Sequence, residues 1–81
     1  MDKLVKELKE KLEAYAEEQG ATYILDYDLE AQTLVIAMGA TYENGDSKQI
    51  TAAYGPEDFA QEIEITAADV IAFIDMTWTN S

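Results

Sequence analysis

TYILDYDLEAQTLVIAMGATYENGDSKQITAA, residues 22–53, contains the pattern that decides the fold. Residues 23, 25 and 27 are Tyr, Leu and Tyr, whereas residues 24, 26 and 28 are Ile, Asp and Asp. Alternation with a period of two places these sets on opposite faces of a strand. Residues 33–38 are β-branched and apolar enough for an inner strand. We therefore predict a three-stranded antiparallel meander over residues 22–53.

The first turn sets the pairing of the first two strands. If residues 29–32 form a four-residue loop, Tyr27 lies opposite Leu34 and Tyr23 lies opposite Met38. In this register the apolar side chains of both strands fall on one face. The loop length thus predicts a single apolar surface for the meander.

The second turn contains Asn44-Gly45, the strongest short hairpin signal. A two-residue turn would pair Met38 with Thr51, whereas a three-residue loop with left-handed Gly45 would pair Met38 with Ile50. A slip of one residue moves every side chain to the other face. Burial therefore favours the three-residue loop.

Two helices are predicted outside the meander. Apolar residues recur every three or four positions over residues 2–19, and Gly20 stands where a left-handed C-cap is expected. Thr66 and Asp69 resemble a capping box that opens a second helix running to Trp78. Because the apolar residues of this second helix, Phe73 among them, cover more than one narrow stripe, we expect it to be well buried.

The segment after Gly55-Pro56 has two interpretations. Alternation in Glu62-Ile63-Glu64-Ile65 favours a fourth strand. Alternatively, Pro56 begins a short helix with Glu57 and Asp58 in its first turn. Taking the strand, we predict an α+β fold in the order αββββα: a four-stranded antiparallel meander with both helices on its apolar face.

Length and composition limit the class of protein. The chain has 81 residues, which suits one domain (residues 1–81) that buries roughly 60–65% of its unfolded surface. It has no cysteine, and no apolar run approaches the roughly 20 residues of a membrane span. The N-terminus, rich in Lys and Glu, does not resemble a secretory signal. These features predict a soluble protein of the cytoplasm.

Charge is the most unusual property of the sequence. Seventeen acidic residues against five lysines give a net charge of −12, with no histidine. Four of the lysines lie within the first 11 residues, so nearly all the negative charge belongs to the rest of the chain. Such a chain repels nucleic acid and anionic membranes and attracts basic proteins. Direct nucleic-acid or membrane binding is therefore not expected; solubility alone is the plainer explanation of the charge.

The outer face of the predicted sheet carries acids in two rows. Asp26 and Asp28 lie on the first strand and Glu62 and Glu64 on the predicted fourth, roughly 14 Å away across three strand spacings. Such rows could stand in for the phosphates of a nucleic acid. Tyr42 is expected at an interface because tyrosine is enriched at binding hot spots. The predicted partner-binding residues are Asp26, Asp28, Glu30, Tyr42, Glu43, Asp46, Glu57, Asp58, Glu62 and Glu64.

In layout, the helix–meander–helix order and the acidity of residues 26–64 resemble small phage-encoded nucleic-acid mimics, including anti-CRISPR and anti-restriction inhibitors. The resemblance covers most of the chain, rests on no sequence motif and transfers no individual residue. It implies a non-enzymatic inhibitor that occupies a basic, nucleic-acid-binding surface on a host nuclease. The alternative is a structural module that forms a homo-oligomer, such as a homodimer, through the sheet face or an edge strand.

Enzymatic and metal-binding functions are not expected. Without His, Cys or Arg, the usual nucleophile–base pairs and phosphate clamps are missing. Asp26, Asp28 and Glu30 alternate like the start of an EF-hand loop, but Ala31 stands where that loop needs glycine and Ala37 where it needs glutamate. We therefore predict no catalytic residue, no metal ligand and no cofactor.

Overall fold

The computed structural model describes residues 2–81 as an elongated α+β molecule with extents of 44 × 20 × 20 Å. A long helix precedes a three-stranded antiparallel sheet, and a second long helix ends the chain. The elements are α1 (Asp2–Gln19), β1 (Thr22–Asp28), β2 (Thr33–Thr41), β3 (Ser47–Tyr54), α2 (Pro56–Phe59) and α3 (Ala67–Thr79). In residues 2–81, no helix combines the length and the apolar character that crossing a membrane requires.

The register predicted for the meander is confirmed at both hairpins. Tyr27 pairs with Leu34 and Tyr23 with Met38, so residues 29–32 form the four-residue loop. Met38 pairs with Ile50 on the other side, as the three-residue loop requires. Gly45 has φ +90°, and its N–H donates to the carbonyl oxygen of Tyr42 at 3.0 Å.

Pairing places most of the large apolar residues of the meander on one face of the sheet, here called the covered face. Leu34, Ile36 and Met38 of β2 are at most 1% exposed. Both long helices, α1 and α3, contribute to the same core cluster through side chains spaced three or four residues apart. The buried helical side chains are Val5, Leu8, Leu12, Ala16, Ala67, Val70, Ile74 and Trp78.

Local signals end α1 and begin α3 as expected. Gly20 has φ +66°, the left-handed conformation that favours glycine after a helix. Thr66 Oγ1 accepts a hydrogen bond from Asp69 N, and the Asp69 carboxylate accepts one from Thr66 N, both at 3.2 Å. The prediction that α3 is well buried is wrong for its outer side, because Phe73 and Met76 are 44% and 55% exposed.

The predicted four-stranded meander is wrong, because the sheet has three strands. The chain instead forms the short helix α2 at Pro56, and residues 60–66 form no strand. The Asp58 carboxylate accepts a hydrogen bond from Gly55 N at 2.8 Å, which closes the first turn of α2. Phe59 then packs on Tyr54, with ring centroids 6.4 Å apart. These local contacts turn the chain away from the edge of β3.

Candidate functional site

The surface with the clearest capacity to bind a partner is the side of the sheet opposite the helices, here called the open face. Its charged side chains are Asp26 and Asp28, both on β1. Ile24 is 68% exposed and Val35 is 40% exposed. The rest of this face is small or polar and consists of Thr22, Thr33, Ala37, Gly39, Thr41, Ser47, Gln49, Thr51 and Ala53.

Ile24 and Val35 are functional candidates that the sequence prediction missed. The register puts Val35 between Asp26 and Ala53, and Ala37 between Ile24 and Thr51. Two exposed branched side chains and two alanines therefore lie in neighbouring rows of one face. The signal was present, since Ile24 alternates with the inward-facing residues of β1.

Acidic residues gather at one end of the sheet, around the first hairpin. Asp28 Oδ1 accepts hydrogen bonds from the backbone N–H groups of Glu30 (3.0 Å) and Ala31 (3.2 Å), so this carboxylate also shapes the turn. A shallow depression beside the hairpin is lined by Asp26, Asp28 and Glu30 together with Leu29 and Val35. Carboxylates and exposed apolar groups thus meet at this end of the open face.

Glu57 and Asp58 join the same end through α2. β3 ends at Tyr54, which pairs with Leu34, and α2 begins two residues later. Burial raises the pKa of Tyr54, and the nearby carboxylates of Asp58 and Asp69 raise it further. Asp58 is half-buried and accepts a hydrogen bond from Gly55 N, so its main role is to stabilise the start of α2.

The second predicted row of acids does not exist. Glu62 and Glu64 are exposed in the segment 60–66 rather than aligned on a fourth strand. The spacing of roughly 14 Å predicted from three strand gaps therefore has no counterpart in the molecule. The acidic part of the open face is a single row of two aspartates, continued around the first hairpin.

Tyr42, Glu43 and Asp46 belong to the opposite end of the sheet. β2 separates the two hairpins by nine residues, or roughly 26 Å at the usual rise per residue. In the second hairpin, Asn44 Nδ2 donates to Asp46 Oδ2 and Asp46 N donates to Asn44 Oδ1, both at 3.0 Å. Tyr42 is 42% exposed. Tyr42, Glu43 and Asp46 thus lie at one end of the sheet, whereas Asp26, Asp28, Glu30, Glu57 and Asp58 lie toward the other.

The lysines do not neutralise the open face. Lys6 and Lys9 line a groove at the outer edge of β1 together with Tyr23 and Leu25, whose side chains belong to the covered side. Lys48 also points to the covered side, and its Nζ lies 4.7 Å from the centroid of the Trp78 ring. The open face therefore keeps its negative sign.

Within residues 2–81, no three His, Cys, Asp or Glu side chains lie close enough together to hold a metal ion. Asp26 and Asp28 lie on one face, but Glu30 belongs to the turn that Asp28 caps. Exposed carboxylates beside apolar groups suit the recognition of a basic, partly apolar surface.

No protein-family model matches the chain, and no curated protein or solved structure is significantly similar to it.

Proposed function

We propose that this protein is a non-enzymatic inhibitor or regulator that binds a basic protein surface through the open face and the first hairpin. The observation that carries the proposal is the composition of the open face. Its only charges are the carboxylates of Asp26 and Asp28, and exposed Ile24 and Val35 lie beside them. A partner with basic and apolar side chains would complement both features.

The charge of the whole chain supports the same partner. A net charge of −12 accelerates encounter with basic proteins. Nucleic-acid-binding proteins present basic surfaces for phosphates, so we place the partner among them. Occupation of such a surface would exclude nucleic acid, which is how an inhibitor of the anti-CRISPR or anti-restriction type would act. We place this function in the cytoplasm, which suits a cysteine-free chain.

The exposed apolar residues of the open face make the interface more than an electrostatic one. Carboxylates contribute long-range attraction that weakens with salt, since exposed charges are screened over about 8 Å at physiological ionic strength. Apolar groups contribute attraction that salt does not screen. Binding should therefore fall with salt but retain a component that depends on Ile24 and Val35.

A charge-reversal pair tests the proposal. The probe is a fluorescein-labelled amphipathic helical peptide of lysine and leucine, and binding is followed by fluorescence anisotropy. Asp26→Lys with Asp28→Lys should weaken binding about tenfold or more. The matched control, Glu7→Lys with Glu10→Lys, changes the net charge equally on exposed positions of α1. Equal weakening by both pairs would show that net charge alone drives binding and would refute a role for the open face.

The natural partner can be sought with the same variants. Wild-type protein and both charge-reversed proteins are immobilised and exposed to candidate nucleic-acid-binding proteins at low salt. The proposed partner binds the wild type and the α1 variant, fails to bind the Asp26/Asp28 variant, and is displaced by duplex DNA. If all three immobilised proteins retain the partner, or if duplex DNA does not displace it, the proposal is contradicted.

Self-association is the second candidate function, and the exposure of Ile24 and Val35 favours it independently of charge. Two copies could bury these side chains by stacking their open faces, although the aspartates of both copies would then approach each other. Sedimentation velocity over a range of concentrations separates the candidates. A mass that doubles with concentration in the wild type but not in Val35→Lys would favour the dimer.

A further inference from the structure

A groove runs between α1 and β1 on the covered side of the sheet and plays no part in the function proposed above. Its volume is about 460 Å³. Four of its seven lining residues are apolar or aromatic, and one of these, Tyr27, is 46% exposed. Besides Asp2, the groove is lined by Val5, Lys6, Lys9, Tyr23, Leu25 and Tyr27.

β1 offers free backbone hydrogen-bonding groups to this groove. It is an edge strand, because the order of the sheet is β1-β2-β3. The N–H of Tyr42 bonds to the carbonyl of Asp46, so alternate residues of β2 bond β3 and the intervening ones bond β1. Through the register, the main-chain groups of Tyr23, Leu25 and Tyr27 are directed to the free edge. These are the same residues whose side chains line the groove.

The groove also differs in charge from the rest of the molecule. Lys6 and Lys9 are two of only five lysines in the chain, and Asp2 is the one acid among the groove's lining residues. Glu13 and Glu17 lie beyond the groove, in the adjoining depression at the Tyr23 end of β1. Residues three apart on a helix have their Cβ atoms about 5–6 Å apart. Alternate side chains of an extended strand are about 6.6–6.8 Å apart. Two lysines at this spacing suit two carboxylates on one side of a strand.

We propose that this groove binds an extended acidic peptide segment, which adds to β1 as a fourth strand. The backbone of the segment bonds the free groups of Tyr23, Leu25 and Tyr27, as in other cases of strand addition. Carboxylates at alternate positions face Lys6 and Lys9. Binding of this kind takes affinity from the main chain and specificity from the side-chain spacing.

A second copy of the chain fits this groove less well. If two β1 strands paired about a two-fold axis, the second strand would present its Tyr23, Leu25 and Tyr27 side chains on the covered side. Its Asp26 and Asp28 would lie on the open face, away from the lysines of the groove. The two α1 helices would then bring lysine toward lysine. Charge complementarity therefore favours an acidic peptide.

The test uses the full chain and a fluorescein-labelled peptide of alternating glutamate and threonine. Lys6→Glu with Lys9→Glu should weaken binding about tenfold or more, whereas Lys6→Arg with Lys9→Arg should retain it. The matched control is Lys3→Glu with Lys11→Glu, which changes the net charge equally outside the groove; Lys11 lies on the α3 side of α1. Circular dichroism of each variant checks that α1 is intact. Equal weakening by both glutamate pairs, or no binding to the wild type, would overturn the proposal.

Backbone pairing is tested separately. A peptide N-methylated at alternate residues, so that it lacks the donors facing β1, should bind about tenfold more weakly. Amide NMR signals should shift at Tyr23, Leu25 and Tyr27. Shifts confined to Gln49 and Thr51 on the other edge strand would refute the assignment to this groove. The Asp26/Asp28 reversal should not weaken peptide binding, so failure of the open-face proposal and failure of this one are distinguishable.

Discussion

The two faces of the central strand β2 differ sharply in their exposure to solvent. Ile36 is 1% exposed on the covered face, whereas its neighbour Val35 is 40% exposed on the open face. Both are β-branched and both lie between two paired strands. The difference arises because α1 and α3 pack on one side only. The covered face therefore belongs to the core, and we expect substitutions on the open face to cost less stability.

The largest expected effect comes from truncating the two neighbours in turn. Ile36→Ala should lower the free energy of unfolding by about 2–5 kcal/mol, because it removes buried methyl groups and leaves a cavity. Val35→Ala should cost less than about 1 kcal/mol, since water already reaches that side chain. Urea denaturation followed by circular dichroism measures both. Similar losses for the two variants would mean that the open face is covered in solution.

A smaller effect is expected at the second hairpin, whose turn determines the register of β2 and β3 and therefore which side chains lie on each face. Gly45→Ala should destabilise the protein by about 1–2 kcal/mol, because φ is +90° there and a Cβ atom strains that conformation. Gly55→Ala is the control: its φ is −118° and no atom lies within 4 Å of an added Cβ. Urea midpoints compare the two. A Gly45 variant as stable as the Gly55 variant would show that the left-handed turn is not required for the register.

The smallest effect concerns the contact between the helices that cover the sheet. Tyr15 Oη donates a hydrogen bond to Asp75 Oδ1 at 2.7 Å. Burial is the larger cause and the Asp75 carboxylate the next, and together they raise the pKa of Tyr15 from 10.0 to about 12. Because the folded state holds the proton more tightly, the stabilisation is complete below pH 10 and is lost as the pH rises toward about 12.

Tyr15→Phe should remove that part of the alkaline loss of stability, because the group that titrates is gone. Urea midpoints below pH 10 and near pH 12 compare the variant with the wild type, and tyrosinate absorbance follows the titration. A Tyr15→Phe variant that loses as much stability as the wild type over this range would contradict the assigned role of the Tyr15–Asp75 bond.

The meander was predictable because its signals are local and mutually consistent. Strand alternation selects a face, and the loop lengths select a register. Only one register places Leu34, Ile36 and Met38 together with Ile50. The capping box of Thr66 and Asp69 and the C-cap glycine Gly20 act over three or four residues, so they too can be recognised along the chain.

Part of the candidate site was predictable for the same reason. Asp26 and Asp28 lie on the face that alternation assigns to them. The grouping of all ten residues was not predictable, since it depended on a fourth strand that would have placed Glu62 and Glu64 beside β3. Tyr42, Glu43 and Asp46 lie at the far end of the sheet from the first hairpin whatever follows β3, because β2 separates the two hairpins.

The sequence by itself determined which residues of the meander face each other, because the period of a strand and the geometry of a turn are properties of neighbouring residues. Only the tertiary structure decided the fate of residues 55–66. Ile63 and Ile65 occupy equivalent places in the alternating pattern, yet Ile63 is 82% exposed while Ile65 packs against the core. The strand preference of four alternating residues is too weak to decide between pairing at the edge of the sheet and forming the helix turn that Asp58 closes. The helix turn forms, and Phe59 packs on Tyr54.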